Sequence, residues 1–318
     1  VAFAVRGYTF RRCRRCRTLF VETPPPPEET AHLYESESYF VNRGFERGFH
    51  GYRNYLADRA QNEEKFSGIL GLIESFRSPG ALLDVGAGPG LLVKVAQARG
   101  WRAKGLDLNP WAVRTAREEV GADVDRGELA PGRFEEGQFD AVTMLDLIEH
   151  VLDPEELIAE AARITAPNGV LVVLSPDAGS ITTRLLGRRW PEVRRVPEHL
   201  VIFAVSGIAA LVARHGFEPL GWHSTGKKTE LAGLAADMSE IAPPIGRAVS
   251  RGLARTGLGT RVFEFDPRVK FCFYARQRRD AQLPVASPDG SAWVPPKLPR
   301  LPKPPAQGHP YRAEAAVA

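Results

Sequence analysis

Three groups of residues in this sequence are of types, and at spacings, that could do chemistry. The first is Asp84-Val-Gly86-Ala-Gly88-Pro-Gly90, which follows the apolar Ala81-Leu-Leu and leads into Leu91-Leu-Val. Glycines let a backbone turn sharply and admit a ligand where a Cβ would otherwise stand. A helix N-terminus behind them offers free N–H groups to an anionic group. One residue separates Gly88 from Gly90, whereas a dinucleotide fingerprint wants two, and the phosphate loop G-x-x-x-x-G-K-[ST] is also missing here. The second group is Asp107, at the end of the stretch Trp101–Leu108; an acidic side chain there can accept both hydroxyls of a ribose. The third comprises His150, behind Glu149, and the pair Glu198-His199, which follows an arginine-rich stretch. Imidazoles that titrate near neutrality suit proton transfer. With Glu198 and Asp146, these histidines are the candidate bases, and His199 is the first choice.

These residues must be positioned by alternating strands and helices. Apolar runs near residues 81–85, 101–107, 139–145 and 167–176 read as buried strands. Helical periodicity follows at Leu91–Arg99, Trp111–Glu119, Pro154–Thr165 and Val205–His215. Such alternation predicts a parallel sheet with right-handed crossovers. Ligands then belong at the carboxyl ends of its strands, where Gly86, Asp107, Glu128 and Asp146 fall. Phe217–His223 reads as a further strand, and Arg268–Arg276 as one that closes the sheet antiparallel.

The ordered set ALLDVGAGPGLLV, WRAKGLDLNP, VDRGEL, FDAVTMLDLIEHVLDP and PNGVLVVLSP resembles the successive motifs of the class I S-adenosylmethionine-dependent methyltransferases. The resemblance implies a Rossmann-like fold: a seven-stranded, mostly parallel sheet with an antiparallel last strand and helices on both faces. It implies S-adenosylmethionine as cofactor, held by Asp84 (at its ammonium group), Gly86, Gly88, Gly90, Asp107, Leu108, Glu128 and Leu129 (by its adenine) and Asp146. The expected activity is methyl transfer to a small-molecule acceptor of sugar, nucleotide-linked or secondary-metabolite type. The alternative is a relative that binds the cofactor without turnover, as a partner or regulator.

The stretch Asp177–Phe203 resembles the family's substrate-side loop, whose pattern ends in Pro-Glu-His before an aromatic residue, here Pro197-Glu198-His199 and Phe203. Within it Arg188, Arg189 and Trp190 are expected to face the acceptor, which an anionic group would suit. Sugar C-methyltransferases of this type carry a tyrosine three residues before the histidine; Val196 stands there in this chain. The segment 28–78 resembles the family's helical lid, with Tyr39 and Tyr52 on the substrate side and Phe40 and Tyr55 close by.

Cys13-Arg-Arg-Cys16 is one knuckle of a tetrahedral zinc site, which needs two more ligands. The N-terminal stretch resembles that of a bacterial subgroup in which a preceding C-x-x-C completes a small zinc ribbon. Its place falls before Val1, so the expectation is half a ribbon that does not hold zinc tightly alone. Residues 1–27 are therefore read as a ribbon remnant and proline spacer, and 79–279 as the methyltransferase domain with an insertion at about 227–262. The Pro-rich stretch 280–318 is expected to be disordered.

Composition bounds the rest. The chain has 318 residues, 43% of them hydrophobic and 25% charged, with a net charge of +4. That is the profile of a globular protein, and neither the charge nor any RNA-binding motif points to nucleic acid. Three cysteines make no disulfide framework, which suits a cytoplasmic location. The longest apolar run, Leu200–Ala213, has 14 residues, too few to cross a bilayer.

Overall fold

The computed structural model describes residues 2–41, 55–241, 243–278 and 298–303. Strands β1 (Phe3–Val5), β2 (Tyr8–Arg12) and β3 (Leu19–Val21) open the chain and are followed by helices α1 (Pro27–Glu35) and α2 (Arg59–Phe76). Then come β4 (Ala81–Val85), α3 (Leu91–Ala98), β5 (Arg102–Asp107), α4 (Pro110–Thr115), β6 (Val124–Arg126), β7 (Phe139–Leu145), α5 (Pro154–Ile164) and β8 (Thr165–Pro176). The chain continues with α6 (Ile181–Leu186), β9 (Val201–Ile202), α7 (Val205–Arg214) and β10 (Phe217–Ser224). Last are β11 (Lys227–Glu230), α8 (Leu231–Ile241), α9 (Pro243–Thr256), β12 (Val262–Phe265) and β13 (Lys270–Gln277).

Local chemistry explains where these helices begin. Asn109 and Asp153 cap α4 and α5 by accepting from Ala112 N (3.0 Å) and Glu156 N (3.0 Å), and a proline occupies the first helical position of each. The same preference corrects one expectation. Pro27 reads as the end of a stiff spacer, yet it starts α1, because a proline at that position forfeits no hydrogen bond. Within the segment expected as a helical lid, α1 ends at Glu35 and a short 3₁₀ turn follows at Glu37–Tyr39.

The main sheet has seven strands in the order β10-β13-β8-β7-β4-β5-β6. The pairs within β8-β7-β4-β5-β6 are parallel, and β13 runs antiparallel to both β8 and β10. This is the predicted seven-stranded architecture. Helices α2 and α3 cover one face with Phe66, Ile69, Leu70, Ile73, Leu91 and Leu92. Helices α5 and α7 cover the other with Ile158, Ile164, Ile208 and Val212. Both faces are thus dry, which is why Val170–Leu174 of β8 read as an unbroken apolar run. The expected insertion is a unit in which the β11–β12 ladder brackets α8 and α9.

The N-terminal strands join the rest of the chain: β3 pairs with β9, so β1-β2-β3-β9 form one antiparallel sheet. A third core beneath it joins Phe10, Leu19 and Val21 to Trp190, Val193, Val196, Leu200 and Ile202. Near the other end, residues 298–303 lie along β10 rather than in a structureless tail. Trp222 N donates to Pro299 O (3.2 Å), Leu301 N donates to Trp222 O (2.9 Å), and the Arg300 guanidinium sits 4.9 Å from the Trp222 ring centroid. Among the described residues, no helix is long and apolar enough to cross a membrane.

Candidate active site at the carboxyl edge of the sheet

The glycine loop joins β4 to α3. Gly86, Gly88 and Gly90 have φ of 74°, 52° and 76°, in the left-handed region that a side chain disfavours. A Cβ on Gly88 would lie 3.0 Å from Phe40 Cε1, and one on Gly90 would lie 2.7 Å from Ala122 Cβ. Asp107, at the end of β5, accepts Gly88 N–H at Oδ2 (2.7 Å) and Asn109 N–H at Oδ1 (2.8 Å). Burial holds its carboxyl above the usual range. The two elements that would contact a nucleoside are therefore fixed to each other by the residue expected to read its ribose. Asp84 is buried beneath the loop, where its Oδ1 accepts Thr143 Oγ1–H at 2.6 Å. Desolvation pushes its carboxyl up to about 7, against the Thr143 hydrogen bond.

The lid comes down on this loop through aromatic side chains. Phe40 stacks on Trp111 (5.8 Å between centroids) and meets Tyr55 edge-on (5.8 Å). Asn109 ties α1 in place by donating from Nδ2 to Tyr34 O (2.7 Å) and Ser36 O (2.9 Å). Tyr39 donates its hydroxyl proton to Glu198 Oε1 (3.0 Å). Tyr52 lies outside the described residues.

A polar cluster stands on the acceptor side. One ligating atom each of Glu149, His150 and His199 lies within 4.8 Å of the others, and the two imidazoles meet edge to face with centroids 4.8 Å apart. Sequence distance hid this meeting, because β7 ends beside His150 whereas His199 arrives on the loop before β9. The bridge is Glu149, whose carbonyl accepts the backbone N–H of Leu200 (2.8 Å). His150 Nδ1 lies 3.1 Å from both Tyr34 Oη and the carbonyl oxygen of Glu198. Burial pushes this imidazole down to about 4, and burial, then His150 and Arg195, hold His199 well below its ordinary value. Both rings are neutral near pH 7, which a proton acceptor requires. Burial pushes the Glu149 carboxyl up to about 8, aided by Asp146; its Oε2 accepts Ser175 Oγ–H at 3.0 Å.

Charges beside this cluster are paired. Glu198, fully buried, is gripped by Arg195 through Nε (3.1 Å) and Nη2. Asp146, at φ 54°, accepts Lys270 Nζ at 2.7 Å. Burial alone would raise the Asp146 carboxyl, but Lys270 and Lys65 outweigh it and hold it low. Sequence reasoning did not single out Tyr34, Lys65, Asn109, Glu192, Arg195 or Lys270 for this site. The signal for two of them was available: in a 3₁₀ turn residues i and i+3 eclipse, so Glu192 and Arg195 of the turn Pro191–Arg195 share a row.

Other expected positions fall elsewhere. Trp190, expected on the substrate side, packs its large apolar ring in the third core and is 2% exposed. Arg188 and Arg189 are exposed on the 3₁₀ turn Gly187–Arg189, and of that arginine cluster Arg195 is the member that engages Glu198. Glu128 and Leu108 are exposed at the β5–β6 edge, while Leu129 is buried in the second core. Cys13 and Cys16 sit on a tight turn closed by Arg17 N–H to Cys13 O (3.0 Å), and the backbone N–H of Cys16 lowers the Cys13 thiol. Among the described residues they form no cluster of three ligating groups.

The architecture and these motifs have counterparts in known proteins. A family-wide description of the methyltransferase domain matches residues 55–220. Norajmaline N-methyltransferase of Rauvolfia serpentina is 31% identical over 154 residues, 45% of this chain and 50% of the relative. Ubiquinone biosynthesis O-methyltransferase of Thiobacillus denitrificans is 35% identical over 94 residues, 28% of this chain and 40% of the relative. The chain thus spans about half the length, or less, of these curated relatives. Among solved structures, a chain of the complex between the Haloferax volcanii Trm112 methyltransferase activator and its methyltransferase aligns with a TM-score of 0.50. At 14% identity, over 71% of this chain and 95% of that one, the likeness concerns the fold alone. With the glycine loop, Asp107 and the strand order in agreement and more than half of the sequence matched, the chain belongs to the class I S-adenosylmethionine-dependent methyltransferase family.

Proposed function

We propose that this chain transfers a methyl group from S-adenosylmethionine to a polar small-molecule acceptor, with His199 taking the acceptor's proton. The observation that carries the reading is the meeting of His199, His150 and Glu149 at the strand ends that also present the glycine loop. The residues of the loop suit the cofactor: Gly86, Gly88 and Gly90 put no side chain on the turn, where a Cβ on Gly88 would crowd Phe40, and each Asp107 carboxylate oxygen keeps acceptor capacity beyond the one backbone N–H it holds. Asp84, Gly86, Gly88, Gly90 and Asp107 would hold it, with Asp146 and the lid aromatics beside them. When bound, S-adenosylmethionine supplies a methyl group already activated on its sulfonium.

This chain's residues then have two tasks. The lid and the polar cluster hold the acceptor in line and exclude water, which supplies much of the rate in a displacement. His199, neutral near pH 7, accepts the proton of an acceptor O–H, N–H or acidic C–H. The similarity to an N-methyltransferase and to O-methyltransferases favours a heteroatom. Charge near the cluster is compensated, with Arg195 against Glu198 and Lys270 against Asp146, which suits an uncharged polar acceptor better than a strongly anionic one. The compartment we propose is the cytoplasm.

Calorimetry with S-adenosylmethionine and with NAD tests the first part; binding of NAD alone would sink it. His199→Ala tests the second once an acceptor is found. Turnover should fall about 10²–10⁴-fold, the usual share of general base catalysis, with cofactor affinity nearly constant. Full activity would remove His199 from the chemistry.

A further inference from the structure

Two buried polar atoms of this cluster have no hydrogen-bond partner: Glu192 Oε2 and His199 Nδ1. They face each other across 3.5 Å. Their neighbours are satisfied by other groups: Glu149 by Ser175, His150 by Tyr34 and the Glu198 carbonyl, Glu198 by Arg195 and Tyr39, Asp146 by Lys270. Buried polar atoms are paired in nearly all folded proteins. These two are complementary, since an imidazole N–H can donate and a carboxylate can only accept. At 3.5 Å the contact is too long for a good hydrogen bond, and a shortening of about 0.5 Å would bring it into range. Catalytic contacts are often this loose before ligands bind.

The loop places them so for a reason visible in its sequence. Trp190, Val193 and Val196 recur every third residue and drop into the third core. Pro191–Arg195 is accordingly a 3₁₀ turn, whose eclipsed i, i+3 rows carry Glu192 and Arg195 side by side, and Arg195 in turn grips Glu198 just beyond the turn. The turn is clamped against the N-terminal strands, so the Glu192 carboxylate is delivered to His199 by a packed element rather than a free loop.

We propose that Glu192 is the positioning residue for His199: its carboxylate accepts the Nδ1–H, fixes the ring in that tautomer and leaves Nε2 with the lone pair that takes a proton. As a statement about the reaction, this rests on the reading of His199 as the base. In that step the acceptor's bond to hydrogen breaks, the acceptor keeps the electron pair, and the proton binds Nε2. The imidazolium so formed has its Nδ1–H against Glu192. The other groups facing His199 divide by sign: His150, Arg195 and Lys270 disfavour the imidazolium, whereas Glu198 favours it. Glu149 completes its surroundings, and Glu192 offsets part of the opposition. Histidine orientation by a carboxylate at Nδ1 is a general device of acid–base sites.

The test needs no acceptor. In full-length protein labelled with ¹⁵N at histidine, ring nitrogen shifts report which tautomer His199 holds, with His199→Gln used for assignment. The wild type should hold the Nδ1–H tautomer. Glu192→Leu, of similar size and without an acceptor, should shift the ring toward the Nε2–H tautomer that free imidazole prefers. Glu192→Gln keeps an acceptor oxygen and should retain Nδ1–H, but its ring should protonate at a pH at least about one unit lower, because a charge within 4–6 Å is gone. If the leucine variant does not fold, the glutamine variant decides. A wild-type ring carrying Nε2–H, an unchanged tautomer in folded Glu192→Leu, or an unchanged titration in Glu192→Gln would each overturn the proposal. Failure of the broader reading looks different. Full turnover in His199→Ala would remove the base and leave the Glu192 contact standing.

Discussion

Replacing Asp107 by alanine should weaken S-adenosylmethionine binding and loosen the loop at once, and the two losses can be sized separately. The carboxylate accepts Gly88 N–H at 2.7 Å and Asn109 N–H at 2.8 Å. Its removal leaves two backbone donors to find water in a buried place, at about 1–3 kcal/mol each where they do not find it. With one of them rehydrated, the expected loss of stability is about 2 kcal/mol, or roughly 4–8 °C in Tm for a domain of this size. The remaining acceptor capacity of Asp107 would serve the expected ribose, and hydrogen bonds to a charged group contribute about 1.5–3 kcal/mol. Affinity should therefore fall about 10- to 150-fold. Calorimetry at 15 °C, well below the melting transition, separates the effects, with thermal unfolding measured in parallel. Asp107→Asn keeps the volume but turns an amide N–H₂ toward one of the two backbone donors, so it should lose affinity as well. A folded alanine variant with unchanged affinity would refute the assignment of Asp107, and with it the orientation of the cofactor.

Two further outcomes are expected. Asp84 is held at about 7 by burial, well above its ordinary value of 3.8, so the folded protein binds that proton more tightly than the unfolded chain does. Stability from this group is complete at low pH and is lost as pH rises from about 4 to about 7. Asp84→Asn should consequently gain on the wild type across that window, by up to a few kcal/mol; an equal difference at pH 5 and pH 8 in urea unfolding would contradict this. A Cβ on Gly207 of α7 would lie 2.1 Å from Thr18 Oγ1, so Gly207→Ala should cost about 1–3 kcal/mol by overpacking. Adding Thr18→Ala should restore most of that loss, and a single variant as stable as the wild type would mean that the N-terminal strands do not press on α7.

The glycine loop and the strand end beside it were legible because their geometry is local. Asp84 to Gly90 is a contiguous run whose turn, positive φ and helix start follow from glycine spacing, and Asp107 ends the next strand by the same rhythm of apolar residues. The sheet was legible for a related reason, since strands buried on both faces must be unbroken apolar runs and crossovers have one hand. The burial of Trp190 was not legible: its arginine neighbours suggest a planar anion site, whereas its burial depends on Phe10 and Leu19 arriving from the far end of the chain.

By itself, then, the sequence determined the order of strands and helices, the glycine loop, Asp107 and the existence of two histidine-bearing motifs. Tertiary structure decided which of the charged residues meet. His150 and His199 are brought into edge contact across 48 intervening positions, Lys270 reaches Asp146 from the last strand of the sheet, and Glu192 is turned to His199 by a core that includes the N-terminal strands. Backbone preferences are set by neighbours in sequence and can be read one stretch at a time. The pairing of buried charges is set by which apolar surfaces close on one another, and that is a property of the whole chain.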